Sequence, residues 1–140
     1  MSDVSNLLDH YLEQISLVHK AEAEGSLGNT WRNVANTIIN TAMAAGKVNK
    51  SRCLRACVEN LRCKQDCDLR STTLVIRGLQ SGITRCRGDQ RCVKAVAVRI
   101  VNIARRGDQK IRQYGFGVPY LSGAMDFVNK LGLEAKPGET

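Results

Sequence analysis

Four of the six cysteines lie in one segment, SRCLRACVENLRCKQDCDLR, which spans residues 51 to 70. They form two C-x3-C pairs, and five residues, VENLR, separate Cys57 from Cys63. The other two cysteines, Cys86 and Cys92, also enclose five residues, RGDQR. Connections of this length are common between antiparallel helices. Each five-residue segment is therefore predicted to be the turn of a helical hairpin, with one cysteine on either side of it.

This geometry predicts how the cysteines pair. In the first hairpin, Cys53 and Cys67 lie one helical turn further from the turn than the inner pair and would face each other. By symmetry, three intrachain disulfides are predicted: Cys57–Cys63, Cys53–Cys67 and Cys86–Cys92.

Two other interpretations of the first four cysteines stay open at this point. A single uninterrupted helix through residues 51–70 would place all four on one arc of about 120°, where reduced cysteines pack as small hydrophobic residues. Alternatively, four thiolates on a hairpin can hold zinc, although C-x2-C pairs or histidines are more usual ligands. Disulfides are the leading interpretation, and the sequence predicts no metal and no cofactor.

The paired C-x3-C motifs, Cys53 to Cys57 and Cys63 to Cys67, resemble the twin C-x3-C helical hairpins of mitochondrial intermembrane-space proteins. The resemblance covers residues 53–67 only, and the segment between the motifs is shorter here. It implies a similar local geometry, a cross-linked helical hairpin, rather than kinship.

The composition indicates an all-α chain. Prolines occur only at positions 119 and 137, so no proline interrupts a helix before residue 119. Hydrophobic residues make up 43% of the chain and aromatic residues 4%, which predicts an aliphatic core. At 140 residues the chain fits one domain. We therefore predict an all-α bundle of four to five helices whose central hairpins are stapled by disulfides.

Apolar periodicity places the helices. One amphipathic helix is expected over residues 2–22 and another from about residue 30, with Gly46 as its stop and the polar segment 47–51 after it. A third helical stretch is expected from Ser51, interrupted by the turn at residues 58–62. Its later part has a seam in steps of three and four: Leu69, Thr72, Ile76, Leu79, Ile83 and Cys86.

The second half of the chain continues the helical pattern. After an interruption at Gly88-Asp89, a fourth helix is predicted with one wide apolar face: Val93, Val96, Ala97, Ile100, Ile103 and Ala104. The glycine-spaced loop YGFGV (114–118) and Pro119 then introduce a last short helix. The tetrapeptide RGDQ occurs at 87–90 and again at 106–109, and both copies are expected to mark turns or kinks; integrin binding is a minor alternative.

Charge divides the predicted single domain (1–140) into three parts. The N-terminal helices (1–46) are acidic, with net charge −3, and the cysteine-rich hairpins are strongly basic, with net charge +12 over residues 47–112. The predicted hairpin part comprises residues 47–113, and the third part (114–140) contains the glycine loop, the short helix and the polar tail. Such a basic middle can face nucleic acid, acidic lipid or an acidic protein surface.

Arginine dominates the basic part, and its planar guanidinium suits two-point contacts with phosphate or carboxylate. An alternative of equal weight is that these arginines lie on the solvent-exposed outer faces of the helices and bind no partner. The candidate residues for binding phosphate or an acidic partner are Arg52, Arg55, Arg62, Arg70, Arg77, Arg85, Arg87, Arg91, Arg99, Arg105 and Arg106. No aromatic residues alternate with these arginines, so any contact with nucleic acid should be to its backbone.

Nothing in the sequence indicates catalysis. There is no C-x-x-C motif, no phosphate-binding glycine loop and no serine–histidine–acid set, so we predict no enzyme, no catalytic residues and no small-molecule substrate. We also expect no membrane span and no signal peptide, and hence cytoplasmic synthesis.

The leading functional prediction is a structural or assembly protein, such as a small component of a virus or phage particle. It would bind other copies of itself or other assembly proteins through its basic central face. Its disulfides predict a virion or another oxidising environment. The alternatives are a helical module that binds nucleic acid non-specifically and a zinc-stabilised helical adaptor.

Overall fold

The computed structural model describes residues 25–132, and within them the chain is all-α, as predicted. Four helices occur in this range: α1 (Gly25–Cys57), α2 (Leu61–Gly82), α3 (Gln90–Tyr114) and α4 (Leu121–Lys130). A 3-10 turn, Ile83–Cys86, extends α2. The helix predicted over residues 2–22 and the polar tail from residue 134 lie outside the described residues. None of the described helices has the length and apolarity needed to cross a membrane.

The first predicted turn is present, so residues 51–70 do not form one helix. Helix α1 ends at Cys57, and Val58 adopts a left-handed backbone conformation with φ 55°. Asn60 then caps α2, because its side-chain oxygen accepts a 2.8 Å hydrogen bond from the Cys63 backbone N–H. Asn60 was the one turn-forming residue in VENLR, and it supplies the signal that starts the second helix.

The second predicted turn lies between α2 and α3. Arg87 and Gly88 both have positive φ angles, 51° and 81°, which reverse the chain after the 3-10 turn. Asp89 caps α3 by accepting a 2.9 Å hydrogen bond from the Arg91 backbone N–H. The first RGDQ copy is therefore a turn, as expected. Its Asp89 side chain is fully buried, so this triplet does not present a carboxylate to an integrin.

The predicted helix stop at Gly46 is wrong, because α1 runs through Gly46 and through the polar segment 47–51 to Cys57. The glycine serves helix packing instead. A Cβ at this position would collide with Val75 Cγ2 of α2, and the Gly46 carbonyl accepts a 2.8 Å hydrogen bond from the Ser71 hydroxyl. Absence of a side chain thus lets α2 approach the backbone of α1.

The same close approach continues along the antiparallel pair. A Cβ on Gly78 would lie 3.1 Å from Ala42 Cβ, and one on Gly82 would lie 2.7 Å from Ile38 Cγ2. Small residues therefore line the contact from the middle of both helices to the end of α2. The pairing fixes one register, which the cysteines continue toward the Val58–Asn60 turn.

The core lies where α3 packs on this hairpin. All six residues of the predicted α2 seam and all six of the predicted α3 face are buried. Leu79, Val96 and Ile100 are the largest apolar side chains that are fully buried. The core is aliphatic, as the composition predicts, and Trp31, Tyr120 and Phe127 pack at its edge.

Helix α4 is held by the second RGDQ copy, which is not a turn. Residues 106–109 lie inside α3, so the turn expected as one possibility for this copy is not present. Gly107 leaves room for the Tyr120 ring, and the Asp108 carboxylate accepts hydrogen bonds from the backbone N–H groups of Tyr120 (2.6 Å) and Leu121 (3.3 Å). A carboxylate on α3 therefore caps α4, which begins two residues after Pro119.

Replacement of Gly46 by alanine tests the close approach. In an exposed helix this change stabilises by about 1 kcal/mol, but here the new methyl group meets Val75. We expect Gly46→Ala to lower the free energy of unfolding by about 1–3 kcal/mol, as overpacked cores do. The measurement is denaturant unfolding of the oxidised protein, followed by circular dichroism.

Gly123→Ala is the matched control, because Gly123 is also helical and nothing lies within 4 Å of a Cβ built there. It should raise stability, by up to about 1 kcal/mol. Equal or greater stability of Gly46→Ala relative to the unmodified chain would contradict the packing role of Gly46.

Candidate functional site

All six cysteines are paired, with the connectivity predicted from their spacing. The bridges are Cys53–Cys67, Cys57–Cys63 and Cys86–Cys92, with Cα–Cα distances of 5.6, 5.5 and 5.5 Å. Two of them join α1 to α2, and the third closes the turn between α2 and α3. Three disulfides are typical of a protein from an oxidising setting.

The two bridges between α1 and α2 lie side by side and form one sulfur cluster, made of Cys53, Cys57, Cys63 and Cys67. The Sγ atoms of Cys57 and Cys67, which belong to different bridges, are 3.4 Å apart. The sulfurs of Cys57, Cys63 and Cys67 all lie within 4.8 Å of one another. Cys57 and Cys67 are buried, so the cluster is mostly shielded from solvent.

The predicted arginines do not gather on one surface. Nine of the eleven are exposed, and Arg91 and Arg99 are half-buried. One group, Arg52, Arg55 and Arg62, lies around the first turn, and another, Arg85, Arg87 and Arg91, lies around the second. These turns are at opposite ends of α2, which is about 30 Å long at 1.5 Å per residue.

At least four of these arginines, Arg62, Arg70, Arg87 and Arg91, have partners within the described part of the fold. The Arg62 guanidinium lies 3.6 Å above the ring of Phe116, and Arg70 pairs with Asp66 at 2.8 Å. Arg91 pairs with the buried Asp89 at 3.2 Å. The contacts of Arg62, Arg70 and Arg91 stabilise turns and helices, so these side chains are less available to a partner than the sequence suggests.

The structure instead brings basic residues together in an open groove of about 440 Å³. Lys47 and Lys50 of α1 line one wall, and Arg106 and Lys110 of α3 line the other. Residues of α2 form the base. The lining is apolar at one end, where Met43, Val75 and Ile103 contribute. We call this feature the basic groove; Arg106 is its one member among the predicted arginines.

Asp68 is the single carboxylate of the basic groove and is already engaged. It is 7% exposed. Its carboxylate accepts hydrogen bonds from Lys110 Nζ at 3.0 Å and the Tyr114 hydroxyl at 2.5 Å, and it pairs with Lys50 Nζ at 3.1 Å. Burial alone would raise the pKa of Asp68, but these bonds outweigh burial and hold that pKa below its ordinary value. Asp68 therefore stays charged and ties the two walls together.

The other two cations of the groove have no such partner. Lys47 and Arg106 are exposed and make no ion pair with any residue in the described range 25–132. With Asp68 shared by Lys50 and Lys110, the groove carries a clear excess of positive charge beside an apolar surface. This arrangement can bind a carboxylate-bearing segment that also carries apolar side chains.

The sequence did not predict Lys47 and Lys50 as site residues, because a helix was expected to end at Gly46 and residues 47–51 to form a polar connection. Asp68 was not predicted because its role depends on tertiary contacts with Lys50 and Lys110. A continuous α1 puts Lys47 and Lys50 three residues apart on one face. Arg106 and Lys110 have the corresponding four-residue spacing on α3. The spacings were visible, but the pairing of the two walls depends on the tertiary fold.

Comparisons with protein-family models, curated proteins and solved structures returned no match to this chain. The geometry of the groove and of the sulfur cluster is therefore the basis for proposing a function.

The contribution of Asp68 predicts a pH-dependent stability difference. Its folded-state pKa is lowered, so the stabilisation is present above its unfolded pKa of about 3.8 and is lost as the pH falls through the folded value. We expect Asp68→Asn to lower the free energy of unfolding at pH 7 by about 1–3 kcal/mol, because hydrogen bonds to a buried charge are lost. This deficit should shrink below about pH 4.

The control is Asp66→Asn, which removes an exposed carboxylate paired with Arg70 and should cost less than about 0.5 kcal/mol. Asp68 also raises the pKa of Tyr114 to about 12, so this tyrosine stabilises the fold up to about pH 10 and less above it. In Asp68→Asn the tyrosinate absorbance of Tyr114 should develop at lower pH. An unchanged alkaline titration would contradict the assigned Asp68–Tyr114 bond.

Proposed function

We propose that this protein is a non-enzymatic assembly protein, in which the basic groove of one copy binds the acidic N-terminal segment of another. The observation that carries the proposal is the charge of the groove. Four cations line it, its one carboxylate is shared by two of them, and Lys47 and Arg106 have no ionic partner in the described range.

The N-terminal segment, residues 1–24, has the complementary composition. It contains five acidic residues and one lysine, together with apolar residues at helical spacing. Asp9 and Glu13 are four residues apart, next to Leu8 and Leu12. Carboxylates and apolar side chains would therefore reach a partner from neighbouring positions of one segment. That combination suits a groove with basic walls and an apolar end.

The walls of the groove are held in place before any partner binds. Lys50 on α1 and Lys110 on α3 both contact Asp68 of α2, so one carboxylate links three helices. The bridges of the sulfur cluster join α1 to α2 close to this point. A preorganised groove loses less conformational entropy on binding, which favours affinity.

A protein segment fits the groove better than nucleic acid does. The phosphate backbone is uniformly negative and would gain nothing from the apolar surface near Met43 and Val75. Six of the eleven predicted arginines are divided between the two turns at opposite ends of α2, so they do not form one continuous track for a nucleic-acid backbone. The virus or phage setting expected from the sequence is one context for such self-assembly.

The test compares self-association of full-length variants by light scattering at low ionic strength. The Lys47→Glu/Arg106→Glu variant reverses charge at two exposed residues without partners in the described range, so folding should be retained. We expect its self-association to weaken by about tenfold or more, corresponding to at least about 1.4 kcal/mol. Arg77→Glu/Arg105→Glu is the matched control, because both arginines are exposed and outside the groove lining.

A charge exchange identifies the occupant. Asp9→Lys/Glu13→Lys should also weaken association, and combining it with Lys47→Glu/Arg106→Glu should restore most of the loss. A monomeric unmodified chain at every concentration would overturn the proposal, as would failure of the combined variant to recover. Retention on duplex DNA that is lost only in the groove variant would instead support the nucleic-acid alternative.

A further inference from the structure

We propose that the reduced chain binds one Zn²⁺ ion through the four sulfurs of the cluster formed by Cys53, Cys57, Cys63 and Cys67. The zinc site uses other residues than the basic groove does, and zinc binding does not depend on self-assembly. Zinc binding would give the cluster a second chemistry besides disulfide bonding.

The sulfur positions carry the proposal. Tetrahedral zinc with four thiolates has Zn–S distances of about 2.3 Å, which places its sulfurs about 3.8 Å apart. In the structure, the Sγ atoms of Cys57 and Cys67 are 3.4 Å apart without being bonded, and Cys63 Sγ lies within 4.8 Å of both. Cys53 Sγ is bonded to Cys67 Sγ and therefore joins the same cluster. Three of the four sulfurs therefore already lie at separations close to those of a zinc–thiolate tetrahedron, and Cys53 Sγ adjoins them through its bond to Cys67 Sγ.

The helices supply the ligands in a suitable arrangement. Cys53 and Cys57 are four residues apart on α1, and Cys63 and Cys67 have the same spacing on α2, so each helix presents two sulfurs on one face. The antiparallel pair directs both faces toward each other at the Val58–Asn60 turn. Since Asn60 caps α2 through a side-chain bond, the turn does not depend on sulfur bonding alone.

The surroundings suit a buried centre with negative charge. Cys57 and Cys67 are buried, which protects a metal from solvent. Four thiolates around one Zn²⁺ leave a net negative charge, and four cationic residues lie within two positions of these cysteines in the chain: Arg52, Arg55, Arg62 and Lys64. The remaining pair, Cys86 and Cys92, lies beyond the far end of α2 and offers only two sulfurs.

Electrons and protons balance in the conversion between the disulfide form and the reduced, zinc-bound form. A thiol reductant such as glutathione gives two electrons and two protons to each bridge, so Cys53–Cys67 and Cys57–Cys63 become four thiols while the reductant is oxidised to its own disulfide. Zinc then binds the thiolates and displaces their protons to solvent. A disulfide oxidant such as oxidised glutathione reverses the process: it takes two electrons from each pair of thiolates and two protons from solvent and is reduced to two thiols, the bridges form again, and the ion is released. In either form, the sulfurs tie α1 to α2.

The experiment uses the full chain, reduced with a phosphine and kept free of oxygen. Zinc is added and measured by competition with a chromophoric chelator, and Co²⁺ is used in parallel because its visible spectrum reports tetrahedral four-thiolate binding. We expect one metal ion per chain, a four-sulfur cobalt spectrum, and helical circular dichroism retained with zinc. The Cys86→Ser/Cys92→Ser variant should behave in the same way.

The Cys57→Ser/Cys63→Ser variant should bind zinc at least about 100-fold more weakly, since half of the ligands are removed. The cobalt spectrum of Cys86→Ser/Cys92→Ser decides the ligand set even if the other variant does not fold. Failure of the reduced, unmodified chain to bind zinc would overturn the proposal. So would a cobalt spectrum with fewer than four sulfurs, or loss of binding in Cys86→Ser/Cys92→Ser.

Discussion

The antiparallel register of α1 and α2 is the constraint on which the rest of the structure depends. Gly46, Gly78 and Gly82 let the two helices approach closely, because a Cβ at any of them would crowd a side chain of the other helix. The bridges Cys53–Cys67 and Cys57–Cys63 continue the same pairing to the turn. Noncovalent packing and covalent bonds thus favour one register. A slip of one residue would rotate one helix face by about 100° and break both sets of contacts.

Both candidate sites follow from this register. Cys67 and Asp68 are adjacent on α2, and their side chains leave the helix about 100° apart. One therefore points into the sulfur cluster, and the other reaches Lys50 and Lys110 at the basic groove. On α1, Lys50 precedes Cys53 by three residues, so the same helical turn supplies the groove and the cluster. The groove needs α3 as its second wall, and the aliphatic core formed with α2 places it there.

The sequence carried enough information for the helices, their two sharp turns and the disulfide pairing, because these depend on local spacing and on caps such as Asn60 and Asp89. The sequence was misleading at Gly46 and Gly107, because a glycine in the local pattern predicts a helix end or a turn. In the fold, the missing side chain of Gly46 makes room for Val75, and that of Gly107 makes room for Tyr120. The basic groove could not be predicted either, because it depends on contacts between residues that are distant in the sequence. The arginine-rich segments predicted binding near the hairpin turns, whereas the groove forms where a carboxylate of α2 meets lysines of two other helices.

The closeness of the two sites has a physical consequence. Without sulfur bonds or a metal ion, the end of the α1–α2 hairpin is held by packing and by the Asn60 cap, so the last turns of α1 become easier to separate from α2. Lys50 lies in those turns, and its contact with Asp68 helps to fix one wall of the groove. A bound zinc ion in the reduced chain would keep this wall in place, as the disulfides do in the oxidised chain. The sulfur cluster therefore matters to the groove through the position of Lys50, whichever bonds the sulfurs make.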